Sequence, residues 1–555
     1  MPTSIQKLSS VLAGVLLGAS FAITAASADK DKDKPAAADK SATADKPTGD
    51  KSADALESGP GGHFKVESKS SEGSVTIGGR KIDYQAMAGT LIVHGRNWDD
   101  VPQNADKDEK VPPAEASMFY TAYFAKNAGN ASTRPITFLF NGGPGSSTIW
   151  LHIGAFGPKR VLTPGDTHPG AAPYSVVNNE YSLLDASDLV FIDAPGTGFS
   201  RISGKDREKE FFNIDGDAHA FADFIVQFLS KYGRWNSPKF LFGESYGTTR
   251  NAKLISILET EKFLDFNGVI NLSQIEVFDA NADTAEDNPG VDLPYMVALP
   301  SYAATAWYHH RTTNAPASLP ELLAEVEQFA MHDYAVALLA GSTLDAAQRH
   351  AIAGKLHDYT GLPVAYIEKA NLRIDIGEFT KNLRDDGDAT IGRLDARFAG
   401  PTIDRLSKKS DYDPQFAAIG SAYASAFNDY VRNTLQFSPD RVFRVIPNDI
   451  NAAWTATGGH ALLDTKAPNL IPDLSVAMKY NPRLKLMLNA GYYDLATPYY
   501  EGVYELNQLQ IPDNLRSNIE TKFYESGHMV YAHEPSLKAL HANVTDFIRR
   551  ATTAN

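Results

Sequence analysis

Gly243-Glu244-Ser245-Tyr246-Gly247 places a serine between two glycines, directly after the apolar run Phe240 to Phe242. The residues that follow, through Lys253, Leu254, Ile257 and Leu258, have the spacing of an amphipathic helix. Strand, sharp turn and helix in that order form an elbow. The glycines let the backbone turn, the hydroxyl is held over the sheet edge, and the helix N-terminus aims free N–H groups at the same spot. Ser245 is therefore the candidate nucleophile. The pentapeptide alone would also suit an ordinary glycine-flanked turn, so the reading depends on partners elsewhere in the chain.

Those partners must follow in the order serine, carboxylate, histidine. After the apolar run Leu484 to Leu488 comes Asn489-Ala490-Gly491-Tyr492-Tyr493-Asp494, and after Ile519 to Tyr524 comes Glu525-Ser526-Gly527-His528-Met529. Asp494 and His528 thus fall just past strand ends, as a triad requires. Upstream, Asn141-Gly142-Gly143-Pro144-Gly145-Ser146-Ser147 follows the run Ile136 to Phe140. In an α/β-hydrolase one oxyanion N–H comes from the residue after the nucleophile, here Tyr246. The other comes from an early glycine-rich loop, here Gly143. Of the 14 histidines, the adjacent His309 and His310 lack a carboxylate-rich spacing that would suggest a metal site, and no metal or cofactor is expected.

Such residues need a scaffold whose strand ends meet in one layer. Alternating segments between Val66 and Lys126 predict antiparallel strands that open the domain. Continuous apolar runs at Ile136–Phe140, Leu189–Ile192, Phe240–Phe242, Ile275–Phe278 and Leu484–Leu488 predict strands buried on both faces, hence a largely parallel sheet with helices between. In an open sheet of this kind ligands sit beyond the carboxyl ends of the strands, where the polar loops lie. From about residue 300 to 448 the pattern changes. Leu319, Leu322, Leu323, Val326, Phe329 and Ala330 share a helical face after Ser318, and a mainly helical cap inserted after the Ile275–Phe278 strand is expected, with the aromatic stretch Tyr302 to His310 able to line the access to the site. The fold class is α/β, an α/β-hydrolase fold with a helical cap. Residues 63–299 and 449–555 form the catalytic domain and 300–448 the cap.

At 555 residues the chain exceeds what one core usually fills, which suits a large elaborated domain. Its net charge of −15, with no basic cluster in the globular part, excludes nucleic acid as a partner. The absence of cysteine excludes disulfides, thiolate metal sites and a cysteine nucleophile. Residues 1–28, with Lys7, an apolar stretch and Ala26-Ser27-Ala28, read as a signal peptide. Residues 29–62, rich in Asp-Lys pairs, read as a disordered charged linker. Export without cysteine suits a bacterial periplasm or exterior, with no integral membrane segment once the signal is cleaved.

Four segments together resemble one family. Asn141-Gly-Gly-Pro-Gly, Gly243-Glu-Ser-Tyr-Gly, the turn Gly491 to Asp494 and Gly527-His-Met are similar to signatures of the serine carboxypeptidases, peptidase family S10, as is Asp193-Ala-Pro-Gly-Thr-Gly-Phe-Ser200. The resemblance covers about residues 115–280 and 480–550. It implies Ser245 as nucleophile, Asp494 and His528 as the rest of the triad, Gly143 and Tyr246 as the oxyanion donors, and Asn141 and Glu244 as the groups that hold a peptide's terminal carboxylate. A protonated Glu244 can share a hydrogen with that carboxylate where an ionised one would repel it. The chain departs from the family at Ala155, where a second carboxylate-binding glutamate often stands, at Leu139 for a tryptophan, at Tyr492 for an aspartate and at Ser146 for a cysteine. Beside the carboxypeptidase stand two other readings: an esterase, acyltransferase or different exopeptidase on the same fold, and a catalytically silent envelope-associated binding protein.

Overall fold

The computed structural model describes residues 62–553 except 97, 99–112, 128, 131, 287, 438 and 457–466. The expected signal peptide and all but the last residue of the linker lie outside the described residues.

Ten strands make the main sheet: β1 (Ser68–Ile77), β2 (Arg80–His94), β3 (Glu115–Ala125), β4 (Ile136–Phe140), β5 (Asp188–Ile192), β6 (Arg201–Ser203), β7 (Lys239–Glu244), β8 (Gly268–Leu272), β9 (Lys485–Gly491) and β10 (Ile519–Tyr524). They lie side by side as β1-β2-β3-β5-β4-β7-β8-β9-β10, with the short β6 paired to β3. The first three run antiparallel, and β3 meets β5 antiparallel. From β5 to β10 every pairing is parallel. Because alternate residues face opposite ways along a strand, the apolar runs feed two cores. Phe240, Phe242, Ile270, Leu272 and Met487 face one, covered by α9 (Glu534–Thr553). Phe138, Phe140, Leu241, Val269 and Leu488 face the other, covered by α1 (Ile214–Tyr232), α2 (Tyr246–Thr260) and α7 (Ile471–Tyr480). This is the α/β-hydrolase fold.

One expected strand is displaced. The sheet uses Gly268–Leu272 and not the apolar run Ile275–Phe278. The amides of Glu276 and Val277 donate to Glu505 Oε1 at 2.7 and 2.6 Å, and that of Ile275 to Thr248 Oγ1 at 2.9 Å, so this segment is held by side chains instead of a ladder. The true strand carries Gly268 and Asn271, which broke the apolar pattern; Asn271 is buried and bonds Gln274 and Asn251.

Between β8 and β9 the chain makes a long excursion that packs in two places. Helices α3 (Leu293–Tyr308), α4 (Leu319–Phe329) and α5 (Ala346–Thr360) build a third core around Leu299, Tyr302, Leu322, Val326, Leu356 and Phe379, which also takes in Tyr493 and Tyr499. Tyr499 opens α8 (Tyr499–Asn507), just past the Asp494 loop. The later helix α6 (Pro414–Asp429) puts Ile419, Tyr423 and Phe427 into the core of the main sheet. Between these two parts a hairpin, Ala389–Ile391 paired with Ala399–Pro401, carries a tip at residues 392–398.

Candidate active site

Ser245 stands between β7 and α2 at φ 60° and ψ −132°, a conformation that non-glycine residues rarely adopt and that the surrounding elements must enforce. Its amide donates to Leu272 O at 3.0 Å, which ties the elbow to β8. The turn tolerates no side chain at Gly243, where an added Cβ would lie 2.1 Å from Gly247 O.

The loop after β4 comes down on the start of α2. A Cβ on Gly142 would lie 2.4 Å from Tyr246 N and 2.6 Å from Gly247 N. Gly143, at φ +109°, is thus next to the helix N-terminus, where the first amides have no intrahelical acceptor. Arg250, fully buried on α2, binds the two pieces together. Its Nη1 donates to Asn141 O at 2.9 Å and its Nε to Asp217 Oδ2 at 2.7 Å. Its guanidinium also lies over the rings of Phe221, Phe140 and Tyr246, at 4.4, 5.2 and 5.4 Å from their centroids. The Asp193 loop supports the same segment, with Asp193 Oδ1 accepting from Thr148 N at 2.7 Å.

Past β9, Asp494 is fully buried and accepts at Oδ1 from the amides of Ala496 and Thr497, at 2.8 and 3.0 Å. Its Oδ2 accepts from Thr497 Oγ1 at 2.8 Å and meets His528 Nδ1 at 2.8 Å. With Nδ1 so engaged, the imidazole keeps Nε2 for another partner. Burial works against an imidazolium at His528, but the Asp494 carboxylate, with Glu244 beyond it, outweighs that and raises the pKa above the ordinary histidine value.

Glu244, beside the serine, is buried too. It accepts from Asn141 Nδ2 at 2.9 Å and from the Tyr531 hydroxyl at 2.8 and 3.1 Å. Leu151 N donates to Asn141 Oδ1 at 3.1 Å and fixes the amide so that its NH2 faces Glu244. Burial pushes the Glu244 carboxyl up to about 7, against the lowering effects of His528, Tyr531 and Asn141.

The seven candidate residues fall into three groups, and among the described residues no hydrogen bond joins Ser245 to His528. Asp494 joins His528, Asn141 joins Glu244, and Ser245, Tyr246 and Gly143 lie at the elbow. Four features escaped the sequence reading. Tyr531 lies three residues beyond His528 in a short turn, and Thr497 three beyond Asp494; only their nearness to predicted site residues could have flagged them. Arg250 read as one helix residue among others. The fourth is the hairpin tip, which passes between the Asp494 and His528 loops. Leu394 O accepts from His528 N at 2.6 Å, Asp395 Oδ2 from Gly527 N at 3.1 Å, Arg393 O from Leu495 N at 3.0 Å, and Ala396 N donates to Tyr493 O at 3.0 Å. Of the aromatic stretch, Tyr302 is cap core, stacked 4.4 Å from Phe379, and His309 donates from Nε2 to Ala396 O at 2.6 Å. Ala155 lies in a wholly buried segment, Trp150–Phe156. Among the described residues no group of three or more acidic, histidine or cysteine side chains could hold a metal ion, and no helix is long and apolar enough to cross a membrane.

A parallel sheet with a serine elbow, and a carboxylate and histidine bonded to each other past later strands, defines an α/β-hydrolase. Residues 109–329 match the family model for serine carboxypeptidases, Peptidase_S10. Serine carboxypeptidase-like 33 of Arabidopsis thaliana is 28% identical over 179 residues, 32% of this chain and 35% of that protein. The pheromone-processing carboxypeptidase KEX1 of Saccharomyces cerevisiae is 28% identical over 153 residues, 26% of this chain and 20% of that one. The chain thus spans about a third or less of the length of these relatives. A crystal structure of the same yeast carboxypeptidase aligns over 84% of this chain and 91% of its own at 17% identity, with a TM-score of 0.49. Family model and relatives both match, over less than half of the chain, the serine carboxypeptidases of peptidase family S10. Asn141, Gly143, Glu244, Ser245 and Tyr246 lie inside the matched stretch; Asp494 and His528 lie outside it.

Proposed function

We propose that the chain is a serine carboxypeptidase that releases C-terminal amino acids from peptides. The observation that carries this reading is the buried Asn141–Glu244–Tyr531 set beside Ser245: a carboxyl held up to about 7 is neutral in mildly acidic solution and can donate to a substrate's terminal carboxylate. In this mechanism Ser245 Oγ attacks the last peptide carbonyl while its proton passes to His528 Nε2, which Asp494 orients. The oxyanion rests on the amides of Gly143 and Tyr246. His528 returns the proton to the departing amino group, the C–N bond breaks, and water, deprotonated by the same imidazole, hydrolyses the acyl-enzyme.

The test is mass spectrometry of an N-terminally blocked peptide with a free C-terminus, beside the same peptide amidated and a Ser245→Ala control. Stepwise loss of C-terminal residues from the free acid alone, absent in the variant, is the expected result. A second reading, an esterase or acyltransferase, is favoured by Ala155, which offers no second carboxyl partner. It would stand if neither peptide shortened while a fluorophosphonate still labelled Ser245. The composition of residues 1–28 and the lack of cysteine extend the proposal to an exported enzyme, periplasmic or secreted, of bacterial type. N-terminal sequencing of the mature protein tests cleavage after Ala28.

A further inference from the structure

Behind the two triad loops lies a cavity of about 470 Å³. Its walls include Tyr493, next to Asp494; Glu525, three residues before His528; Arg397 from the hairpin tip; Trp307 and Tyr308 from the end of α3; and Asp166 from a loop after β4. The Tyr308 and Tyr493 rings adjoin with centroids 5.3 Å apart at 56°, and Trp307 adds a third aromatic surface. Ring faces carry negative charge density and attract cations.

The charges in the wall point the same way. Arg397 is spent within the protein, and its guanidinium already lies over the Tyr493 ring, 5.7 Å from the centroid, so Trp307 and Tyr308 are the aromatic side chains left for another cation. Its Nε and Nη2 donate to Asp395 at 2.9 and 2.6 Å, its Nη2 also reaches Ser526 Oγ at 3.3 Å, and only 5% of its side chain is exposed. Burial, with Arg397 nearby, holds the His533 imidazole below its ordinary pKa, so at neutral pH it adds no positive charge. What remains is two exposed carboxylates, Asp166 and Glu525.

We propose that this cavity binds an organic cation, an ammonium or guanidinium group, between Trp307 and Tyr308 and the carboxylates of Asp166 and Glu525. Such a group has two sources, the basic side chain of a peptide substrate or a free amine. The binding itself does not depend on the peptidase reading; use of the cavity by a substrate rests on it. A ligand here would touch Tyr493, Glu525 and the hairpin tip together, the three segments that fix Asp494 and His528.

The test is calorimetric titration of the full chain carrying Ser245→Ala, so that no turnover interferes. The probes are Nα-acetyl-lysine amide, Nα-acetyl-arginine amide, their neutral norleucine analogue and Nα-acetyl-glutamate amide. The two cations should bind about tenfold or more tighter than norleucine. That preference should collapse in Asp166→Asn/Glu525→Gln, whose changes are on the surface, and shrink in Trp307→Leu. Equal binding of cation and norleucine, a preference for the glutamate derivative, or no binding of any probe would overturn the proposal. The source is then resolved with active enzyme and peptides carrying one lysine at successive positions from the C-terminus. A gain in kcat/KM at one position, lost in the double variant, assigns the cavity to the substrate. A flat series alongside a calorimetric preference assigns it to a free amine. If the enzyme cleaves no peptide, the titration still decides the binding.

Discussion

Ser245, Asp494 and His528 each stand immediately or a few residues beyond a strand of the parallel sheet, whereas the hairpin tip, which holds the His528 loop through Leu394 and Asp395 and the Asp494 loop through Arg393 and Ala396, arrives from the middle of the long excursion between β8 and β9. The sheet's edge fixes where each of the three proposed reacting groups emerges. The hairpin tip fixes how Asp494 and His528 lie against each other. An insertion that looks like a cover over the site is also part of its frame. A change in the hairpin should then damage chemistry and stability together, while a change at the elbow should damage chemistry alone.

The largest expected effect is at the elbow. Ser245→Ala should lower kcat by about 10⁶-fold, with the melting temperature unmoved. The hairpin comes next. Asp395→Ala removes the acceptor of Gly527 N and leaves the buried Arg397 unpaired. It should cost about 3–5 kcal/mol in a denaturant melt and, through misplacement of His528, about 10²-fold in kcat measured where the variant is still folded. A lower melt with unchanged kcat would reduce the tip to packing and undo the contrast between the two regions.

Smaller effects sharpen the picture of the carboxylate set. Glu244 has its pKa raised by burial, so it is neutral at low pH and ionises as pH rises through about 7. Affinity for free-acid peptides should therefore be full below the ordinary glutamate value of 4.5 and fall through pH about 7, while affinity for amide or ester substrates should not follow. The same sign applies to stability: this group's contribution is present at low pH and lost through about 7. In Glu244→Gln the alkaline limb of KM for free-acid peptides should vanish. The smallest effect is Tyr531→Phe, which deletes one hydrogen bond worth about 0.5–1.5 kcal/mol, or roughly three- to tenfold in KM. Because the Tyr531 hydroxyl lowers the Glu244 pKa, its loss should move the alkaline limb to higher pH.

Much of the sheet was legible because strands buried on both faces leave unbroken apolar runs, as at Ile136–Phe140 and Leu484–Leu488. The reading failed at β8 for the same reason: Gly268 and Asn271 interrupt the run, and Asn271 is tolerated only because distant side chains satisfy its amide. The residues of the elbow and of the later strand ends were readable because their roles depend on local order in the chain. Tyr531, Thr497, Arg250 and the hairpin tip were not. Each acts through a contact set by the folded structure, and nothing about a tyrosine or a Leu-Asp pair announces that contact in the sequence. Nor did the sequence reveal that α6 belongs to the sheet's core and α3 to α5 to another.

Arg250 has a consequence for how such a protein can change. Since one guanidinium joins the glycine loop to the start of α2, the corner around Gly143 and Tyr246 is a unit with its own fastening. A lysine could not replace it, having neither the planar fork nor the stacking surface. Helices α3 to α5, by contrast, touch this corner through none of those bonds. Segments there could change shape without retuning the corner around Gly143 and Tyr246, but not without disturbing Tyr493 and Tyr499 beside Asp494, which share their core.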